Sequence, residues 1–179
     1  MAAACSSPVS EGGSGGAGIE CSPLYLSRLL GTERQDQAAS LSRVCLPGLR
    51  QTSHSGYITV DHRHDSHLFF WFFPATKVAP DETQLIVYLN GGPGNSAMIG
   101  LFEEIGPITV DKNGELVERV TSWVDHYSVI FVDNPIGVGF SYSGGGGESK
   151  RNCDIANNLY SFLTQFLQLF PLYQKCDLY

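Results

Sequence analysis

Clustered positive charge is the plainest thing this sequence lacks. Lysine and arginine number 11 against 18 aspartates and glutamates, a formal net charge of −7 in 179 residues. Nucleic acids and anionic membrane surfaces attract proteins through grouped Lys and Arg, so neither is expected as a partner. No stretch approaches the ~18 consecutive apolar residues of a membrane-crossing helix, and no membrane span is expected. The five cysteines, Cys5, Cys21, Cys45, Cys153 and Cys176, show no metal-ligand spacing and are too sparse for a disulfide scaffold. A pair such as Cys153 with Cys176 would need an oxidising compartment; free or buried thiols are the plainer expectation. Near the start the only apolar cluster, Leu24 to Leu26 with Leu29 and Leu30, is broken by Ser27 and Arg28. That falls short of the apolar core of a secretory signal, so the sequence assigns no compartment.

What is present reads as a globular protein: 42% hydrophobic and only 16% charged residues, a composition able to build a core. Residues 1–41 begin with a Ser/Gly-rich tract, Ser6 to Gly18, that buries too little apolar surface to offset its ordering entropy. This stretch is expected to be a disordered or loosely helical leader, and 42–179 a folded domain. Gly56 to Val60 and His67 to Phe73 flank the polar stretch Asp61 to Ser66, the pattern of a β-hairpin. The run Leu68-Phe69-Phe70-Trp71-Phe72-Phe73 is apolar throughout, as in a strand covered on both faces. Gln84 to Leu89 and Ser128 to Val132 are two more buried strands by the same criterion.

Between Asp154 and Phe170, Ile155, Leu159, Phe162, Leu163, Phe166, Leu167 and Phe170 recur at three-and-four spacing, which lines one face of a helix. Asp154 is placed to cap it and Pro171 to stop it. Strands alternating with a long amphipathic helix imply an α/β fold, a mixed or parallel sheet with helices packed on it.

The chemistry concentrates where the third strand, Leu85 to Leu89, runs into Asn90-Gly91-Gly92-Pro93-Gly94-Asn95-Ser96. In open α/β sheets ligands gather at the carboxyl ends of strands, and paired glycines let backbone N–H groups approach a negative charge. Three readings apply. A phosphate loop lacks its Gly-Lys-Ser/Thr ending. A tight structural corner needs nothing more than the glycines. An oxyanion hole would use a glycine N–H to stabilise the tetrahedral intermediate of acyl transfer, and α/β hydrolases take one donor from this loop.

Asn90 to Gly94 resembles the Asn-Gly-Gly-Pro-Gly signature of serine carboxypeptidases. The resemblance continues in Gly100-Leu101-Phe102-Glu103-Glu104-Ile105-Gly106-Pro107 and in Asp133-Asn134-Pro135-Ile136-Gly137-Val138-Gly139-Phe140-Ser141. It extends also to Ser55-Gly56-Tyr57, Leu68 to Phe72 and Ser122-Trp123. It runs in order from about Ser53 to Tyr179, closest in texture to the vitellogenic-like branch of the family. Asn95 departs from the pattern where many members have Cys, and Ala97 where a second Ser is usual.

The resemblance implies the N-terminal portion of an α/β-hydrolase sheet and a peptidase that releases C-terminal residues from peptides without a cofactor. Gly92 would supply an oxyanion-hole N–H. Asn90, Gly91 and Glu104 would bind the free C-terminal carboxylate of the peptide. An ionised Glu104 would repel that carboxylate and a protonated one would donate to it, so recognition should be strongest at acidic pH. Read without the family, Asn90 caps its turn and Glu104 is a solvated side chain. Asp133 would belong to a structural turn rather than to the catalytic triad.

By resemblance none of His54, His62, His64, His67 and His126 is the catalytic histidine. A polar turn carrying His62, His64 and His67 is the plain alternative to a metal site, and no metal is expected. The Gly-x-Ser-x-Gly match Gly12 to Gly16 falls in the Ser/Gly-rich tract with no apolar strand run before it, Gly-Glu-Ser-Tyr-Ala-Gly does not occur in the 179 residues, and no base is placed to activate Ser141 or Ser143. The family's nucleophile elbow would follow Tyr179, so this polypeptide alone is expected to be inactive and marginally stable, with an open sheet edge. The alternative function is a short non-catalytic product that at most binds peptides or another chain.

Overall fold

The computed structural model describes residues 22–46, 49–92 and 94–179. Its largest element is a mixed sheet of six strands, β1 (Arg43–Val44), β2 (Ser53–Asp61), β3 (Ser66–Phe73), β4 (Leu85–Tyr88), β7 (Ser128–Val132) and β8 (Tyr142–Ser143). Two further strands, β5 (Ile108–Val110) and β6 (Leu116–Glu118), form a separate hairpin. The order across the main sheet is β1-β2-β3-β7-β4, with β8 paired to the start of β3. The expected hairpin is β2 and β3, with Tyr57 opposite Phe69 and Ile58 opposite Leu68. β7 lies antiparallel to β3 and parallel to β4. Beyond β4, the Leu85 N–H donates to Asp177 O (2.9 Å), and the Val87 N–H to Tyr179 O (2.8 Å). Residues 177–179 thus occupy the far side of β4.

β3 is buried at every residue, and the two faces of the sheet explain why it is apolar throughout. Leu68, Phe70 and Phe72 point into one core with Ile130 and Val132, under helix α2 (Asn152–Leu169). Phe69, Trp71 and Phe73 point into the other with Val129, Phe131, Ala97 and Leu101. Successive strand side chains alternate between faces, so a strand sandwiched on both sides has no solvent-facing set. Phe162 and Phe166 of α2 are fully buried and meet Phe70 edge-on, with ring centroids 5.7 and 5.6 Å apart. Each such ring contributes about 1.5–3 kcal/mol by leaving water.

Two expectations need correcting. Asp154 does not cap α2: the N-cap position is Arg151, without a side-chain cap, and Asp154 lies in the first turn, paired with Arg151 at 3.0 Å. A carboxylate there still complements the helix dipole. Pro171 does end the helix, opening a short turn, Pro171–Tyr173. The second correction concerns the expected leader, of which 1–21, with the Ser/Gly tract, lie outside the described residues. The part 22–41 forms short helical turns, Leu26–Leu29, Gln35–Gln37 and Ala38–Leu41, as the helical alternative expected, but it is packed: Leu26, Leu29 and Ala38 are buried in the core beneath α2. A polar clasp holds it there. Ser27 Oγ donates to Gln165 Oε1 (2.5 Å) and accepts from the Thr59 N–H (2.8 Å), while Gln165 Nε2 donates to Thr59 O (2.8 Å). Short apolar clusters such as Leu24 to Leu30 carry little periodicity, which is why the pattern missed them.

Cys45, Cys153 and Cys176 are free thiols, so the pair of Cys153 with Cys176 is not made; Cys5 and Cys21 lie outside the described residues. Among the described residues no helix is long and apolar enough to cross a membrane.

Candidate active site

Because β4 and β7 are parallel neighbours, the loops leaving their carboxyl ends emerge together. The first carries Asn90 to Ser96. Asn90 spans its own turn: Oδ1 accepts from the Gly91 N–H (2.8 Å), and Nδ2 donates to Ser96 O (3.0 Å). Gly92 has φ +137° and Gly94 φ +101°, a region that side-chain-bearing residues avoid. A Cβ on Gly92 would also stand 3.2 Å from the Asn95 side chain. No hydrogen bond from the Gly92 N–H is made among the described residues.

Glu104 ends the wide helical turn Gly100–Glu104, packed beside β4. Its Oε2 accepts from the Tyr88 hydroxyl at 2.6 Å. Burial, with the Glu104 hydrogen bond and charge adding to it, pushes the Tyr88 phenol up to about 12. Arg119 steadies the same turn by donating from Nη2 to Phe102 O (2.5 Å). Glu104 makes no hydrogen bond to Asn90 or Gly91 among the described residues. Tyr88 was not anticipated as a site residue. Its signal lay in the strand period, since residues two apart share a face and Tyr88 stands two before Asn90.

Asp133 links the two loops. Fully buried at the end of β7, its Oδ1 accepts from Ser96 Oγ (2.6 Å) and the Ala97 N–H (2.8 Å). Its Oδ2 accepts from the Phe140 N–H (2.8 Å). With these three donors engaged it serves as a brace between loops. Ser141 Oγ donates to Asp133 O (2.6 Å) and accepts from the Phe69 N–H (2.8 Å), so it too is held in the scaffold.

The histidines do not converge. His67 is buried, with Nδ1 against Thr59 Oγ1 and Nε2 against Asp65 Oδ1, both at 3.0 Å. Tyr25 and Tyr142, which are hydrogen-bonded through their hydroxyls, flank its ring. His64 is exposed and bonds Asp61 at 2.7 Å. Among the described residues no group of three or more His, Cys, Asp or Glu is placed to hold a metal ion.

Comparison with known proteins gives consistent results. The family model described as serine carboxypeptidase matches residues 47–179. The human probable serine carboxypeptidase CPVL is 40% identical over 159 residues, 88% of this chain and 33% of that protein. The vitellogenic carboxypeptidase of Aedes aegypti is 39% identical over 159 residues, 88% of this chain and 34% of that one. The chain therefore spans about a third of the length of these relatives. Among solved structures, Kex1(delta)p, a prohormone-processing carboxypeptidase from Saccharomyces cerevisiae, superposes with a TM-score of 0.67 at 26% identity. The match covers 79% of this chain and 35% of that one.

Proposed function

The chain belongs to the serine carboxypeptidase family, and on that premise we propose that it supplies the oxyanion donor and the carboxylate-recognising groups of a serine-type carboxypeptidase, which releases C-terminal residues from peptides. One observation carries the reading. The Gly91–Gly92 turn stands at the carboxyl end of β4 beside β7, and the Gly92 N–H makes no hydrogen bond among the described residues. An unspent, pre-oriented N–H is what a developing oxyanion needs, and such a donor is worth on the order of a hundred- to a thousandfold in rate.

Asn90, the Gly91 N–H and Glu104 take the peptide's free carboxylate in this reading. Asn90 Oδ1 accepts from the Gly91 N–H and Glu104 Oε2 from the Tyr88 hydroxyl, so the incoming carboxylate takes the Gly91 N–H in place of Asn90, and the Tyr88 hydroxyl stays the donor beside Glu104. None of the 179 residues is assigned to the triad. The polypeptide alone is inactive in this reading, because losing nucleophile or base costs about a millionfold in kcat.

The transcript read past the Tyr179 codon tests the proposal. An in-frame Gly-Glu-Ser-Tyr-Ala-Gly supports it, provided the encoded protein cleaves blocked dipeptides with a free C-terminus and spares their amidated counterparts. Equal cleavage of both would sink the carboxylate assignment. Covalent labelling of the 179-residue polypeptide by a serine-reactive phosphonate would overturn its predicted inactivity. The alternative is a short non-catalytic product that at most binds peptides or another chain. A stop codon directly after Tyr179 would decide for it.

A further inference from the structure

Asp133 presents a carboxylate that water does not reach, at 0% exposure. Among the described residues no cation pairs with it. A buried carboxylate is tolerated when donors replace its water, and such charge-assisted bonds are roughly twice as strong as neutral ones. The donors here are divided between two loops. Ser96 Oγ and the Ala97 N–H come from the loop after β4, and the Phe140 N–H from the loop after β7. The Asp133 backbone is itself fixed to the sheet, its N–H donating to Phe69 O at 3.1 Å. From Ser96 the network continues outward: Ser96 O accepts from Asn90 Nδ2, and Asn90 Oδ1 from the Gly91 N–H. The next N–H along the chain is that of Gly92.

Gly139 shows how closely the carboxylate is fitted. A Cβ there would stand 2.1 Å from Asp133 Oδ2 and 2.8 Å from Ser96 Oγ. The loops after β4 and β7 therefore meet at one side chain, and each also sends a residue, Ala97 and Ile136, into an apolar core.

We propose that Asp133 is a positioning residue for the Gly91–Gly92 turn. Its carboxylate sets the spacing of the loops leaving β4 and β7, and through Ser96 and Asn90 it sets the direction of the Gly92 N–H. The functional weight of this role rests on the reading of Gly92 as oxyanion donor, but the coupling itself is measurable without catalysis.

Two substitutions loosen the brace one loop at a time. Asp133→Asn keeps an acceptor for Ser96 and Ala97 but turns an NH2 group toward the Phe140 N–H, donor against donor. Ser96→Ala removes one bond on the other side and leaves the Ala97 N–H in place. Amide resonances and hydrogen exchange of the 179-residue chain are followed by 1H–15N NMR in both variants. The Gly91 and Gly92 amides should shift, and the Gly91 amide, which is bonded to Asn90 Oδ1, should exchange about tenfold faster, the factor that loss of one ordinary hydrogen bond permits. Amides in the middle of β3 and β7, such as Phe70 and Ile130, should keep their rates. Should Asp133→Asn fail to fold, Ser96→Ala alone decides the matter. Unmoved glycine amides, or acceleration spread evenly over β3 and β7, overturn the positioning role. The oxyanion reading is decided by hydrolysis instead, so either idea can fall while the other stands.

Discussion

The hydroxyl of Tyr88 reaches Glu104 Oε2 across 2.6 Å, tying the last residue of β4 to the last residue of the Gly100–Glu104 turn. The approach depends on Gly100, where a Cβ would fall 2.2 Å from the Tyr88 ring. The ring also packs on Phe131, with centroids 5.5 Å apart, so moving away from Gly100 would disturb that contact.

Gly100→Ala should therefore destabilise the fold by about 1–3 kcal/mol, the usual range for overpacking. Shortening Tyr88 to Ala in the same chain should recover part of that loss, because residues in contact do not add independently. Urea unfolding of both single variants and the double gives the coupling. Strict additivity would show that the ring and Gly100 do not meet as described.

Stability should fall as solution is acidified from pH 7 toward 5. His54 is held below its ordinary value of 6.5 chiefly by burial, with Arg43 adding, and a backbone hydrogen bond at Ala39 opposes. His67 is also held below 6.5, chiefly by burial, against the opposing charge of Asp65. A histidine lowered in the folded state contributes stability fully above its unfolded value, about 6.5, and loses it as pH falls toward the folded value. Asp61, lowered mainly by its His64 hydrogen bond, loses its contribution only near pH 4 and below. Urea midpoints at pH 7.5 and 5.5 check the slope, which should flatten in a His54→Phe, His67→Gln double variant. A midpoint higher at 5.5 than at 7.5 would reverse the sign.

Gly139→Ala should cost more than Gly137→Ala. Both positions have positive φ, +54° and +93°, so each substitution carries a backbone penalty of about 1–2 kcal/mol. At Gly137 a Cβ meets nothing within 4 Å, whereas at Gly139 it collides with the buried Asp133 carboxylate. Chemical denaturation of the two variants side by side measures the difference. Equal losses would mean that the carboxylate can step aside at no cost.

Long, strongly patterned segments are legible in the sequence. The β2–β3 hairpin, β4, β7 and α2 all follow from runs of apolar residues or their spacing, and the unbroken Leu68–Phe73 run announced a strand with no wet face. Short segments are not. β1 and β8 have two residues each and exist only because β2 and β3 offer them free backbone groups. The Leu26 turn has a seat only once α2 is in place. The glycine loop was found by its composition and by family resemblance. Neither could reveal that Tyr88 engages Glu104 or that Asp133 carries three donors, because those links join residues 16 and 37 apart in the chain.

The clasp of Ser27, Thr59 and Gln165 also bears on how the protein is made. Ser27 and Gln165 are separated by 138 positions, and translation adds about 5–20 residues each second, so the first waits on the order of ten seconds for the second to leave the ribosome. During that interval Leu26 and Leu29 have no helix to shelter under. The amino-terminal turn is thus among the last pieces to dock, and a nascent chain is most in need of chaperone cover at the end it made first.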